Sequence, residues 1–270
     1  MQTDHPLLSR RPGPKIPRLS LDRAAEVSFR LIRLHELCGP ARQALALMLA
    51  DRTLAQADTG APIYWITLVR QKEELHMEGL PPFCDPSRLV FVKLEKPDDA
   101  LWALEEVLRS GAVPLAVAEL PEPPGLTQVR RLHLAAETGA AAHGERPMGL
   151  ILTPGNGGAP GIETRWHMSS DHASPAEGGE RWQLDRRRAR MEPPRSWALQ
   201  MGREGPELGP YPPVKQPPSQ KGATAPAPDM PAAGLPDTRC QDAGGAENRH
   251  PMSPTGGTAG QERPKTGVCD

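Results

Sequence analysis

The stretch LVFVKLEKPDDALWALEEVLRSGAVPLAVAEL, Leu89 to Leu120, decides the fold. It opens on an apolar run, Leu89-Val-Phe-Val92, which lacks the polar alternation of a strand wetted on one face and so suits a strand covered on both. Pro97 then supplies a first helical position, where its fixed φ and missing N–H cost nothing. Asp98 and Asp99 place carboxylates at the positive end of the helix dipole. Leu101, Leu104 and Leu108 follow at spacings of three and four and face inward, and Gly111 stands where a left-handed C-cap is needed. Pro114-Leu-Ala-Val-Ala118 is a second apolar run. Strand, helix and strand in this order form the unit of a parallel sheet.

The same alternation extends in both directions. Ile63–Leu68 and Met148–Thr153 are further inner strands, and His35–Pro40 is a strand that runs into a helix from Ala41 to about Ala57, carrying Leu45, Leu47 and Leu49 among alanines. Leu126, Val129, Leu132 and Ala136 mark a third helix, with Arg130 and Arg131 outward. After Pro154-Gly-Asn-Gly-Gly-Ala-Pro-Gly161 the period becomes two. Ile162, Thr164, Trp166 and Met168 take one face, Glu163, Arg165 and His167 the other, which predicts an antiparallel strand with one wet face; Arg181–Asp185 completes a hairpin.

Of 270 residues, all five tryptophans and all three phenylalanines precede residue 200. Beyond it the chain is rich in Pro, Gly, Ala, Ser and Thr, a composition that does not bury enough apolar surface to offset chain entropy. The expected organisation is a flexible basic arm over 1–21, an α/β domain over 22–199 and a disordered tail over 200–270. A net charge of −1 argues against strong charge-driven nucleic-acid binding by the whole molecule. There is no apolar run of spanning length and none behind the basic N-terminus, so the expectation is a cytoplasmic protein with no membrane association. Cys38, Cys84, Cys240 and Cys269 are widely spaced and read as reduced thiols without a metal.

The strand-to-helix turn at Gly39, Pro40 and Arg42 is where a phosphate loop belongs, because backbone N–H groups and the helix dipole hold anions there. A working loop needs a second glycine, a lysine and a hydroxyl; Gly39–Leu45 offers one glycine and one arginine. Glu119 ends an inner strand at the place of a Walker-B acid, where the plainer reading is a cap on the following PEPPG turn. Ser169-Ser170-Asp171-His172 reads as a polar hairpin loop, and His167 and His172 lack further metal ligands. Arg186, Arg187, Arg188 and Arg190 form the densest cationic cluster, a candidate surface for phosphates or an acidic partner. Trp102 shares a helix face with Glu105, Glu106 and Arg109, away from Leu101 and Leu104, and is an interface candidate.

Several blocks together resemble the ImuA family of bacterial proteins: HELCGPARQALALMLA, GLPPFCDPSRLVFV, DDALWALEEVLRSGAVPLAVAELPEPPGLTQVRRLHLAAETG, GLILTPGNGGAPGIETRWHM and RWQLDRRRARMEPPRSWAL. The resemblance covers about residues 25–199. It implies a RecA-like three-layer α/β fold with a mainly parallel central sheet plus a C-terminal antiparallel hairpin. It also implies an SOS-induced accessory factor of translesion DNA synthesis, nucleoid-associated when DNA is damaged. Its implied partners are the Y-family-like polymerase relative ImuB and an error-prone polymerase α-subunit.

Against the RecA pattern, the phosphate-loop lysine and hydroxyl have no counterparts around Gly39–Leu45, no acid ends the Tyr64–Thr67 strand, and Thr153 replaces a nucleotide-sensing glutamine. The leading expectation is therefore a non-catalytic adaptor without a cofactor. The alternatives are a weak ATPase, with Arg42 on phosphate and Glu119 on Mg²⁺, and a single-stranded-DNA binder using the PGNGGAPG loop and the arginines.

Overall fold

The computed structural model describes residues 17–211 apart from 57–59, 72, 145, 172–180 and 191. Chain contacts divide the protein into Met1–Lys215 and Gln216–Asp270, and the described residues belong to the first unit. The expected disordered tail falls almost wholly on 212–270, outside the described residues.

The strands are β1 (Arg18–Ser20), β2 (Ser28–Arg30), β3 (Leu34–Cys38), β4 (Ile63–Leu68), β5 (Leu89–Leu94), β6 (Leu115–Glu119), β7 (Met148–Leu152), β8 (Thr164–Ser170), β9 (Arg181–Ala189), β10 (Arg195–Gly202) and β11 (Gly205–Pro210). The helices are α1 (Arg42–Gln56), α2 (Pro97–Ser110) and α3 (Leu126–His143). A nine-stranded sheet has the order β11-β10-β9-β8-β3-β7-β6-β4-β5. Every pairing from β8 to β5 is parallel, and β8, β9, β10 and β11 pair antiparallel. The protein is thus mixed α/β, a mostly parallel sheet extended by an antiparallel ladder. No helix among the described residues is long and apolar enough to cross a membrane.

Residue alternation sorts the core into two layers. Leu115, Val117, Leu150, Leu152 and Trp65 pack beneath α1 and the β1–β2 hairpin. Ala116, Ala118, Ile151 and Leu34 pack beneath α2 and α3. Ala116, Ala118 and Gly149 are small residues on this second face, which lets the two helices settle close to it there. Gly149 shows the constraint, since a Cβ there would lie 2.7 Å from Leu34 Cδ1 and 3.1 Å from Leu108 Cδ1. Gly111 caps α2 at φ +61° as its position predicted, and Gly139 of α3 lies so near the Leu108 carbonyl that a methyl has no room.

Two expectations change. The strand after the glycine loop does not have a wet face: the side chains of Arg165 and His167 are only 17% and 14% exposed, and β8 is parallel to β3 on one side while antiparallel to β9 on the other. Nor does ordered structure stop at 199 or begin at 22. β10 and β11 continue the ladder to Pro210, and Leu19 and Leu21 are buried in the α1-side core. Gly-Pro-Glu-Leu-Gly-Pro reads as breaker residues, yet β11 is an edge strand, where proline removes no needed ladder bond.

Candidate functional site

In open α/β sheets ligands bind outside the carboxyl ends of the parallel strands, and here that edge holds the phosphate-loop remnant. Gly39, at φ +88°, leads from β3 into α1. Its N–H donates to the Gly155 carbonyl at 3.0 Å, the Ala41 N–H to the Met168 carbonyl at 3.0 Å, and the Arg42 N–H to the Gly39 carbonyl at 3.3 Å. Three amides of the turn, those of Gly39, Ala41 and Arg42, are thus bonded to protein. Pro40 has no N–H and is exposed. The Arg42 guanidinium is turned back, donating to the Gly39 carbonyl at 3.2 Å and pairing with Glu73 at 2.6 Å.

Glu119 does not cap the following turn. It is 2% exposed and gathers three donors: Trp65 Nε1 at 2.6 Å, Gln43 Nε2 at 2.9 Å, and Gln71 Nε2. Burial pushes its carboxyl above the usual range, against the pull of these hydrogen bonds. Two cavities flank it. One of about 320 Å³ is lined by Trp65, Thr67, Phe91, Lys93 and Glu119; the other, about 430 Å³, by Arg42, Arg70, Glu73, Glu95 and Pro154. Lys93 pairs with Glu74 at 3.0 Å, so of the cations here Arg42 and Lys93 are already neutralised. No group of three His, Cys, Asp or Glu side chains among the described residues is arranged to hold a metal.

Sequence reasoning missed the second acid of this edge. Glu36 is fully buried in β3 and accepts from Thr153 Oγ1 at 2.8 Å, the Gly158 N–H at 2.8 Å, the Ala159 N–H at 3.2 Å and Arg165 Nε. It therefore holds the glycine loop 154–161 against the sheet, and Thr153 serves that network. The signal was present: an acid inside an apolar central strand needs partners. Its neighbour His35 is equally buried, bonded to Thr164 Oγ1 at 2.6 Å and the Arg30 carbonyl at 2.8 Å, and burial lowers its pKa to about 4.

The arginine cluster divides. Arg186 is 7% exposed, lies 5.7 Å and 5.3 Å from the Trp166 and Trp197 ring centroids, pairs with Glu192 and donates to the Pro193 carbonyl. It is a core residue, because alternation along β9 turns it inward. Arg187, Arg188 and Arg190 are exposed, and Arg187 reaches Asn156 of the glycine loop at 2.6 Å. Trp102 is 62% exposed on α2. Ser169 and Ser170 belong to β8, and His172 lies outside the described residues. Burial, and then Arg187, hold the pKa of the His167 ring below its ordinary value, against the pull of Asp185. Cys38 and Cys84 are free and buried, their thiols pushed up to about 11 by desolvation; Cys240 and Cys269 lie outside the described residues.

No family model matches the chain, and no curated protein matches it. Among solved structures, the crystal structure of SulA from Pseudomonas aeruginosa is similar over 44% of this chain and 97% of its own, with TM-score 0.34 and 20% identity. So remote a likeness carries no functional argument.

Proposed function

We propose that this protein is a non-catalytic accessory factor of SOS-induced translesion DNA synthesis, an ImuA-type adaptor on a degenerate RecA-like domain. One observation carries the non-catalytic part: the Gly39 and Ala41 amides are bonded to Gly155 and Met168 and Arg42 is bound to Glu73, so the turn's own donors and its one cation are engaged within the protein. The mostly parallel sheet with helices on both faces and an antiparallel extension supports the RecA-like reading. The partner and pathway rest on the sequence resemblance. The surfaces offered to an ImuB-like polymerase relative and an error-prone polymerase α-subunit are the Trp102 helix and the exposed Arg187, Arg188 and Arg190.

Titration with Mg-ATP tests the filled loop: no heat and no thermal shift at millimolar nucleotide is expected, and saturable binding would restore the ATPase alternative with Arg42 and Glu119. The single-stranded-DNA alternative is supported by Arg187 standing against Asn156 of the glycine loop. It requires affinity that falls steeply with salt; a flat salt response would exclude it.

A further inference from the structure

The sheet face at the carboxyl ends of β4, β5 and β6 holds a buried charge that the fold leaves without a counter-ion. Trp65 and Thr67 of β4 stand beside Phe91 and Lys93 of β5 in parallel register, and the two-residue period of β6 puts Glu119 on the same face as Leu115 and Val117, which share a core layer with Trp65. On this side α1 packs over β3, β6, β7 and β8, and the connection from β4 to β5 leaves a cavity of about 320 Å³ against the rest. That volume is at the small end of ligand sites. Trp65, Phe91, Leu75 and Met77 give the cavity aromatic and aliphatic walls, and its charged groups are Glu73, Glu74, Glu119 and Lys93. Glu74 pairs with Lys93 at 3.0 Å, and Glu73 with Arg42 at 2.6 Å. Glu119 is different. It accepts only from the neutral donors Trp65, Gln43 and Gln71, makes no ion pair among the described residues, and feels Arg42 only from beyond pairing distance.

We infer that this cavity binds an alkylguanidinium group, its charge set against Glu119 and its aliphatic stem against Phe91, Leu75 and Met77. A buried carboxylate with hydrogen bonds but no counter-charge is a costly arrangement, and a cation in the cavity offsets that cost. Acceptor capacity is left for it: Oε2 takes the two glutamine amides and Oε1 only the Trp65 indole, whereas a carboxylate oxygen has two lone-pair sites. Gln71 is fixed in its role because Thr67 Oγ1 donates to its Oε1 at 3.2 Å. The walls choose the kind of cation. Aromatic rings attract organic cations, and a guanidinium is more weakly hydrated than an ammonium. Mg²⁺ keeps several waters and a regular octahedral shell, which apolar walls and a single free carboxylate do not supply. Met77, 48% exposed, gives the stem an apolar contact on the outer side. The chain uses the same chemistry in its core, where Arg186 lies against Trp166 and Trp197 and pairs with Glu192. This assignment is independent of the translesion reading and leaves Trp102 and the exposed arginines to other partners.

Isothermal titration of the full chain with butylguanidinium, and with its neutral isostere butylurea, tests the assignment. The expected result is saturable binding of the cation at about millimolar concentration or below, with the urea at least about tenfold weaker. Glu119→Gln is expected to weaken the cation at least about tenfold, and Phe91→Leu about threefold, with unchanged circular dichroism. Phe91 makes none of the Glu119 hydrogen bonds, so it keeps the test open should Glu119→Gln fail to fold. N-acetylarginine methylamide and agmatine, titrated separately, distinguish a side chain within a partner peptide from a free cation, and tighter binding of either one supports the site. No saturation by about 10 mM butylguanidinium, equal binding of butylurea, an affinity indifferent to both substitutions, or displacement by equimolar Mg²⁺ would each overturn the proposal.

Discussion

Replacing Glu36 with alanine removes the acceptor shared by Thr153, Gly158, Ala159 and Arg165. Breaking a buried ion pair from one side costs roughly 3–5 kcal/mol, because the surviving charge stays buried. Arg165 is 17% exposed and escapes only part of that. Each buried donor left unmet adds about 1–3 kcal/mol, though water entering the space recovers some of it. The expected loss is about 4–6 kcal/mol, a large share of the roughly 5–15 kcal/mol a domain commands. Arg165→Ala is the informative partner. It leaves Glu36 held by a hydroxyl and two backbone amides, so it is expected to cost only about 2–3 kcal/mol. Urea unfolding of the full chain at pH 7, followed by tryptophan fluorescence, reads both. A Glu36→Ala loss below about 1 kcal/mol, or an Arg165→Ala loss equal to it, would refute the view that Glu36 anchors the glycine loop.

His35 holds its proton only below about pH 4 when folded, against an ordinary 6.5. The unfolded chain therefore takes up the proton first as pH falls, and stability that is complete above pH 6.5 declines toward pH 4 by about 3 kcal/mol. The difference in urea midpoint between wild type and His35→Gln should change over that window, and parallel pH profiles would contradict it. Reversing Arg186 to Glu should cost more than about 3 kcal/mol, because it buries a carboxylate between two indoles, while Arg187→Glu with Arg188→Glu should cost under about 1 kcal/mol. Equal melting temperatures for the two variants would show that Arg186 is not a core residue. Truncation after Leu199 should lower the melting temperature relative to truncation after Tyr211, since the shorter chain loses β11 and the end of β10; equal melting would show that this edge adds no stability.

The parallel half of the sheet was legible because its signals are local. Pro97, the two aspartates, the leucine spacing and Gly111 bound α2 within a few residues, and the apolar runs at 63–68, 115–119 and 148–152 reflect strands covered on both faces. The ladder's outer edge was not legible, because β11 is stabilised by pairing with β10 and not by its own composition. The site followed the same division. The departures at Gly39–Leu45 were visible as missing residue types, but the loop amides turning to Gly155 and Met168 are contacts across more than a hundred residues of sequence. Arg186 looked like part of a charged patch because Arg187, Arg188 and Arg190 surround it. Only the strand's alternation, extended through position 186, turns it into the core.

The role proposed for this chain is to hold translesion polymerase proteins and not to turn over nucleotide. The most direct test is affinity purification of the tagged full-length protein from DNA-damaged cells at moderate salt, with mass spectrometry of what co-elutes. The account predicts recovery of the ImuB-like polymerase relative, with recovery reduced by reversing Arg187 and Arg188. Its absence from the eluate, in cells where that protein is expressed, would contradict the account.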